Sequence, residues 1–208
     1  MKGPKRYIEP LEIGGKSMKI FFDCEFTGLH KNTTLISIGL VSEDNRTFYA
    51  EFIDYDGSQV DDWVKDNVIS FLQYSGDKMR HVSNRSLSTD GNVRSYSIEL
   101  SNTFNVVREE IISWLRQFDS VEFISDVCHY DMVLLVDLLG STDDFRYCPA
   151  CHDINQDISR YYGISLEEAF DKSREEILDS FNHNILGKKH NSMYDAKVIK
   201  AIYYSINS

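Results

Sequence analysis

Apolar and polar positions alternate most clearly just after the first turn of the chain. Lys19-Ile20-Phe21-Phe22 reads as a strand entering a core, and Thr34 to Val41, rich in β-branched and apolar residues, as a second. Glu43-Asp44-Asn45-Arg46 supplies turn chemistry, and Thr47 to Ile53 alternates as a third strand, so this region predicts an antiparallel meander. Val60, Val64, Val68, Phe71 and Leu72 recur at helical spacing over 60–74. Val106, Val107, Ile111, Trp114, Leu115 and Phe118 predict an amphipathic helix, and Val121 to Ser125 a short buried strand. Tyr130 to Leu139 reads as a helix closed by Gly140. Ser165 with Glu168 makes a capping box ahead of a helical region over 166–181. Tyr194 to Ile206 places Val198, Ile199, Ile202 and Ile206 on one helical face. The order of elements predicts an α/β protein: a mixed sheet with a three-strand antiparallel meander plus parallel strands, flanked by helices.

Two stretches do not fit this pattern. Residues 1–17 carry Pro4, Pro10 and Gly14-Gly15 with little periodicity; they read as an N-terminal arm or leader, with Met18 a possible second start. Residues 75–101 are polar, and a structureless loop of that length is unusual inside a domain. A hairpin with Val93 to Leu100 as one arm, a lid and a partner surface are the open readings. The 208 residues and 42 % apolar content otherwise suit one domain over 18–208. No apolar run approaches the roughly 20 residues of a membrane span, and no apolar signal core follows the basic N-terminus, so a cytoplasmic protein without a membrane partner is expected. The formal charge of −11 excludes a broad duplex binder, whose affinity would come from phosphate contacts. It leaves room for an enzyme that grips a few terminal nucleotides and neutralises its own carboxylates with metal.

Candidate chemistry gathers at three acidic places and one cysteine-rich stretch. Asp23-Cys24-Glu25 ends the first strand, where side chains alternate, so both carboxylates project to one face and Cys24 to the other, toward the core. Adjacent like charges repel, and a divalent cation taking both as oxygen ligands would relieve that. The plainer reading is a strand fraying into a Thr27-Gly28 turn with both acids solvated. Asp126 and Asp131 flank the start of a very apolar helix, where Asp131 serves equally as a helix cap or dipole partner. His190 precedes the last helix and Asp195 lies in its first turn; taken singly these are a surface His and a capping Asp. Cys148-Pro149-Ala150-Cys151-His152 has the spacing of covalent haem attachment and could be half of a zinc site, with Cys24, Cys128 or a histidine converging on it. Reduced, incidental thiols are the expected case.

Together these places resemble a known family. Asp23-Cys24-Glu25-Phe26-Thr27-Gly28-Leu29 looks like the first motif of the DEDD 3′–5′ exonucleases, in the form of oligoribonuclease-like members. Tyr130-Asp131 is similar to the aromatic-Asp pair of the second motif, and His190 with Asp195 to the third motif of the His-containing DEDDh branch. Within that branch the layout resembles the RNase AS-like exoribonucleases. The usual His-Asn of the second motif is replaced by Asp126-Val127, which makes Asp126 a rival to Asp131. The resemblance implies an RNase H-like fold and two divalent cations, Mg²⁺ or Mn²⁺, held by Asp23, Glu25, Asp131 and Asp195, with Asp23 bridging. It implies His190 as general base, and Phe26, Thr27 and Leu29 in contact with terminal nucleotides, although Phe26 fits plain core packing as well. The substrate expected is the 3′ end of single-stranded RNA, in an enzyme that could be a homodimer. DNA ends, or a catalytically silent nucleic-acid-binding module, are the alternatives.

Overall fold

Strand β1 (Met18–Phe26) lies inside the sheet, paired along one edge over Ile20–Phe26 and along the other over Met18–Phe21. The computed structural model describes residues 17–74, 80–87, 94–140 and 150–207. β1 pairs antiparallel with β2 (Leu35–Ser42), which pairs antiparallel with β3 (Thr47–Phe52), as the meander predicted. The turn between β2 and β3 places Asn45 at φ 67°, and the Ser42 hydroxyl accepts from the Arg46 N–H at 2.8 Å. Of the open readings of the polar stretch, the described strands show the hairpin. β4 (Arg80–Leu87) pairs antiparallel with β5 (Arg94–Asn102), and β5 runs parallel to β3. Residues 88–93 between them lie outside the described residues, as do 1–16.

On the other side of β1, β6 (Val121–Ser125) pairs parallel with it after a crossover through helix α2 (Phe104–Leu115). The two-residue β7 (His152–Asp153) closes a seven-stranded sheet of order β4-β5-β3-β2-β1-β6-β7. This is a mixed α/β architecture with helices on both faces. Among the described residues no helix is long and apolar enough to cross a membrane.

The alternation of β1 decides where the chemistry goes. Ile20, Phe22 and Cys24 point into the core under α2 and α3 (Cys128–Leu139), with Phe48, Trp114 and Leu135. Phe21 points to the opposite face, against Tyr194, Val198 and Ile202 of α7 (Ser192–Ile206). Asp23 and Glu25 continue that second row. Helix α7 therefore covers the side of the sheet from which the two acids project. Its start is pinned on β2 at Gly39, where an added Cβ would lie 2.4 Å from the Ser192 carbonyl, and by a 2.9 Å hydroxyl pair between Ser37 and Ser192. Gly39 is the cross-strand partner of Asp23. Further along, Lys200 donates to the carbonyls of Ser42 and Glu43 at 2.7 and 3.0 Å, so α7 is held at two levels.

Several elements differ from the sequence pattern. The helix expected over 60–74 is broken into α1 (Asp62–Asn67), capped by the Asp61 side chain, and a 3-10 turn over Ile69–Phe71. The buried Glu51 carboxylate accepts the backbone N–H groups of Gln73 and Tyr74, at 2.5 and 3.1 Å, which a continuing helix would have used itself. The helical region 166–181 is two helices, α5 (Leu166–Asp171) and α6 (Arg174–Ser180), meeting at a corner over Lys172-Ser173. The Ser165–Glu168 capping box forms as expected. Helix α4 (Ile154–Tyr162) and β7 have no counterpart in the predicted order, although Asp153 caps α4 and Gly163 ends it at φ 65°. Val106 lies on the solvent side of α2, 37 % exposed, rather than on its buried stripe.

The tight seat of α7 gives a test of how the site is built. Gly39→Ala should cost roughly 1–3 kcal/mol by forcing α7 away from β2. It should appear as a lower urea midpoint with unchanged slope. A midpoint equal to wild type would show that the helix does not rest on β2 at this point.

Candidate active site

Five acids meet in the groove between the end of β1, the start of α3 and the start of α7. Asp23 and Glu25 are 8 and 9 % exposed and Asp131 1 %, which is unusual for carboxylates and strongly unfavourable without compensation. Ligand atoms of Asp23, Glu25 and Asp195 lie within 4.8 Å of one another, and so do those of Asp23, Asp126 and Asp131. Asp23 belongs to both groups. Asp23 Oδ2 and Asp131 Oδ1 are buried with no hydrogen-bond partner. The other Asp131 oxygen accepts from the Ser125 hydroxyl at the end of β6.

The electrostatics follow from this crowding. Burial, then the charges of Asp131, Asp195, Glu25 and Asp126, hold the Asp23 carboxyl well above the usual range. Burial, then the charges of Asp195, Asp131 and Asp126, raise Glu25. Burial, with smaller contributions from Asp126 and Cys128, raises Asp131, the Ser125 hydrogen bond working the other way. Asp195 is pushed up to about 7, chiefly by burial and by Asp126, against the opposing hydrogen bond from the His190 N–H. An all-oxygen donor set with two buried, unpaired lone-pair sites fits a hard divalent cation. It fits no soft metal, since Cys24, on the opposite face of β1, turns its thiol toward the Asp131 carbonyl 4.0 Å away.

His190 reaches the groove from a left-handed backbone conformation, φ 65°. Its N–H donates to Asp195 Oδ2 at 2.8 Å, which ties the loop to the first turn of α7. Asn191 caps that helix by accepting from the Tyr194 N–H, and its amide donates to the Phe71 carbonyl, fixing the same loop to the 3-10 turn. The imidazole Nδ1 lies 4.0 Å from Glu25 Oε1, and the edge of Trp63 meets the ring with centroids 5.1 Å apart. Burial and the charge of Lys189 press the imidazole below its ordinary value, with Glu175 opposing. It is thus predominantly neutral near pH 7, able to accept a proton.

The structure brings Asp23, Glu25, Asp131, His190 and Asp195 together around one cavity of about 470 Å³. The rival Asp126 is there too, but its Oδ2 accepts from Arg174 Nε at 3.1 Å. The three residues after the acidic pair differ in their freedom. Phe26 stacks on Tyr130, rings 5.4 Å apart and 15° from parallel, and still borders the cavity. The Thr27 hydroxyl is engaged within the protein: it donates to Gln59 Oε1 at 2.5 Å and accepts from the Thr34 N–H at 3.0 Å. Leu29 stands 73 % exposed at the rim. Trp63, Phe170 and Arg174 also line the groove and were not singled out by sequence. The aromatic pair had one weak signal, a large ring beside acidic residues in each of two short polar segments.

The cysteine-rich stretch is only partly visible, since Cys148 lies outside the described residues. The thiols of Cys128 and Cys151 do converge and hydrogen-bond each other, lowering Cys128 and raising Cys151. The His152 ring pairs with Asp157 instead. Among the described residues the two thiols gather no third metal ligand.

No family model matches the chain. Two curated proteins from Mycobacterium tuberculosis, strains CDC 1551 / Oshkosh and H37Rv, both named 3′–5′ exoribonuclease, are 38 % identical to it over 55 residues, 26 % of this chain. Those residues span 33 % of either relative's length. Similar solved structures include a 3′-exonuclease described as recognising the 3′ end of histone mRNA stem-loop, at TM-score 0.56 and 15 % identity, covering 92 % of this chain and 63 % of that one. Pop2p of S. pombe, in a form with Mg²⁺ and Mn²⁺ bound, superimposes at TM-score 0.52 and 17 % identity over 91 % of this chain and 82 % of its own. The cell-death related nuclease CRN-4 does so at TM-score 0.56 and 13 % identity, over 92 and 64 %. This chain therefore has the RNase H-like fold of these nuclease structures and is similar, along that 55-residue stretch, to proteins named 3′–5′ exoribonuclease.

Proposed function

We propose that the protein is a 3′–5′ exoribonuclease of DEDDh type that trims single-stranded RNA. The observation that carries this reading is the pair of carboxylate groups that overlap at Asp23, with the imidazole of His190 beside them. Asp23, Glu25 and Asp195 would hold one divalent cation, and Asp23 with Asp131 a second, Mg²⁺ or Mn²⁺ in either place. Such a pair supplies charge stabilisation for the attacking and leaving oxygens of phosphodiester hydrolysis.

The chain's own residues do the rest. Ser125 fixes the rotamer of Asp131, leaving its second oxygen aimed into the groove. His190, neutral at working pH, takes the proton from the attacking water at an imidazole nitrogen. Glu25 and Trp63 border that ring, and the bond from its backbone to Asp195 sets its distance from the ligands. RNA rather than DNA is the substrate proposed, a choice supported by the names of the sequence relatives, both 3′–5′ exoribonucleases. Asp126, bound to Arg174, is assigned a supporting place at the edge of the second group rather than a ligand's.

Incubation with 3′-overhang RNA, and with matched DNA, in Mg²⁺, Mn²⁺ or chelator tests the activity. Shortening from the 3′ end that needs the cation is expected; no trimming of either polymer under any metal would remove the reading. His190→Ala should lower kcat on the order of 10²–10⁴-fold, the usual worth of a general base. Asp131→Asn should cost at least about 100-fold and Asp126→Asn far less; the reverse order would transfer the ligand role to Asp126.

Cation binding has a second readout in stability. The acids are protonated more readily in the folded chain than in the unfolded one, so without cation stability falls as pH rises from about 4, where free carboxyls titrate, through the folded values, about 7 for Asp195. Mn²⁺ should therefore raise Tm much more at pH 8 than at pH 5. Asp23→Asn should raise the cation-free Tm at pH 8 and blunt the Mn²⁺ response. Equal Mn²⁺ shifts at the two pH values, or none, would contradict a buried carboxylate site.

A further inference from the structure

The groove has an aromatic wall that the packing of the fold does not require. Helix α5 docks through Ala169, which is fully buried, while the next residue, Phe170, is 51 % exposed and borders the cavity that holds Asp23 and Asp131. Of the other aromatic rings of the groove, Phe26 lies flat on Tyr130, and Trp63, itself 54 % exposed, is in T-shaped contact with the His190 ring beside the other acids.

The position of Phe170 is fixed with respect to the acids. The Arg174 guanidinium donates to the carbonyls of Ala169 and Lys172 at 3.0 Å each, to Asn155 Oδ1 at 2.6 Å and to Asp126 Oδ2 at 3.1 Å. One side chain thus ties the α5–α6 corner, the start of α4 and the edge of the acidic group together. The same bonds consume Arg174 as a phosphate ligand. That leaves Lys189 as the unburdened basic side chain among the described residues lining the groove, in a protein of formal charge −11. Apart from the phosphate that the cations would hold, few basic side chains of the groove are free for phosphate contacts. Much of the attraction then falls to the bases, whose π-faces stack on an aromatic ring without regard to sequence or charge.

We infer that Phe170 is the stacking platform for one base of the single-stranded 3′ segment, placed by the Arg174-locked corner. The inference rests on the exonuclease reading above and names the substrate-binding residue that reading lacks. Binding held this way should also depend only weakly on salt.

The test is equilibrium binding of a fluorescent hexanucleotide RNA, by anisotropy, to the full chain in Ca²⁺ instead of Mg²⁺. The RNA is used intact and with a single abasic residue at each of its last three positions. For wild type, one abasic position should weaken binding about ten-fold, within the range of base–aromatic stacking. Phe170→Ala should weaken the intact RNA by a similar factor and lose nothing more on that abasic RNA, while Phe170→Tyr should bind as wild type. Because Phe170 is half exposed, its Tm should stay near wild type, and Phe170→Tyr serves as control if it does not. Intact RNA bound equally by wild type and Phe170→Ala, or an equal loss on the intact and all abasic RNAs, would overturn the inference and leave the exonuclease reading in place. If wild type bound neither RNA nor DNA, both would fall.

Discussion

The mutual repulsion of carboxylates around Asp23 is the constraint that the rest of the molecule is arranged to withstand. A buried acid with four acidic neighbours is pushed toward protonation, and a chain free to relax would swing these groups into water. Every route of escape is closed by packing. β1 is bonded on both edges, so Asp23 and Glu25 cannot change face without slipping the whole register. Asp131 is anchored by Ser125, and α7 is seated on Gly39 and held further along by Lys200. The hydrophobic core under α2 and α3 supplies the stability that this crowding opposes.

That division explains which features can be read from the residues alone. The meander and the last helix were legible because each has one buried face: β1 to β3 show period two, and α7 buries Val198, Ile199 and Ile202 at helical spacing. The site was legible for a different reason. Asp23 and Glu25 are two residues apart on a strand, and His190 and Asp195 flank a helix start, so the local geometry already directs each pair. What joins the pairs is tertiary, and the resemblance to a family supplied it before the sheet order did.

The parts that were not legible are those settled by partners distant in sequence. The apolar spacing over 60–74 is real, and Val64 and Val68 are buried, but Glu51 on β3 captures the backbone donors that would extend the helix. The break at Lys172-Ser173 is stabilised by Arg174 reaching back to two carbonyls and across to Asp126 and Asn155, and no window of 166–181 contains those partners. The Thr27 hydroxyl is likewise bonded to Gln59, a partner thirty-two positions later in the chain. Cys128 and Cys151 show the same limit: their convergence depends on β6 and β7 lying side by side.

The placement of cations and helix ends shows how an acidic protein can keep such a site. Arg174 is 13 % exposed and pairs with Asp126, one of the two acids of the cluster that are only partly buried, so it neutralises the periphery and leaves the centre uncompensated. The start of α7, where the helix dipole favours negative charge, faces the same centre with Asp195 in its first turn. A dipole of this size offsets part of one charge, not several. Had the fold compensated the centre with a second arginine, Asp23 and Asp131 would each have a hydrogen-bond donor on the oxygen that is now bare, and the groove would have no vacancy for a cation. Under the proposed reading the uncompensated centre is where the cations would sit, and the positively charged residues are located where they support the frame without filling it.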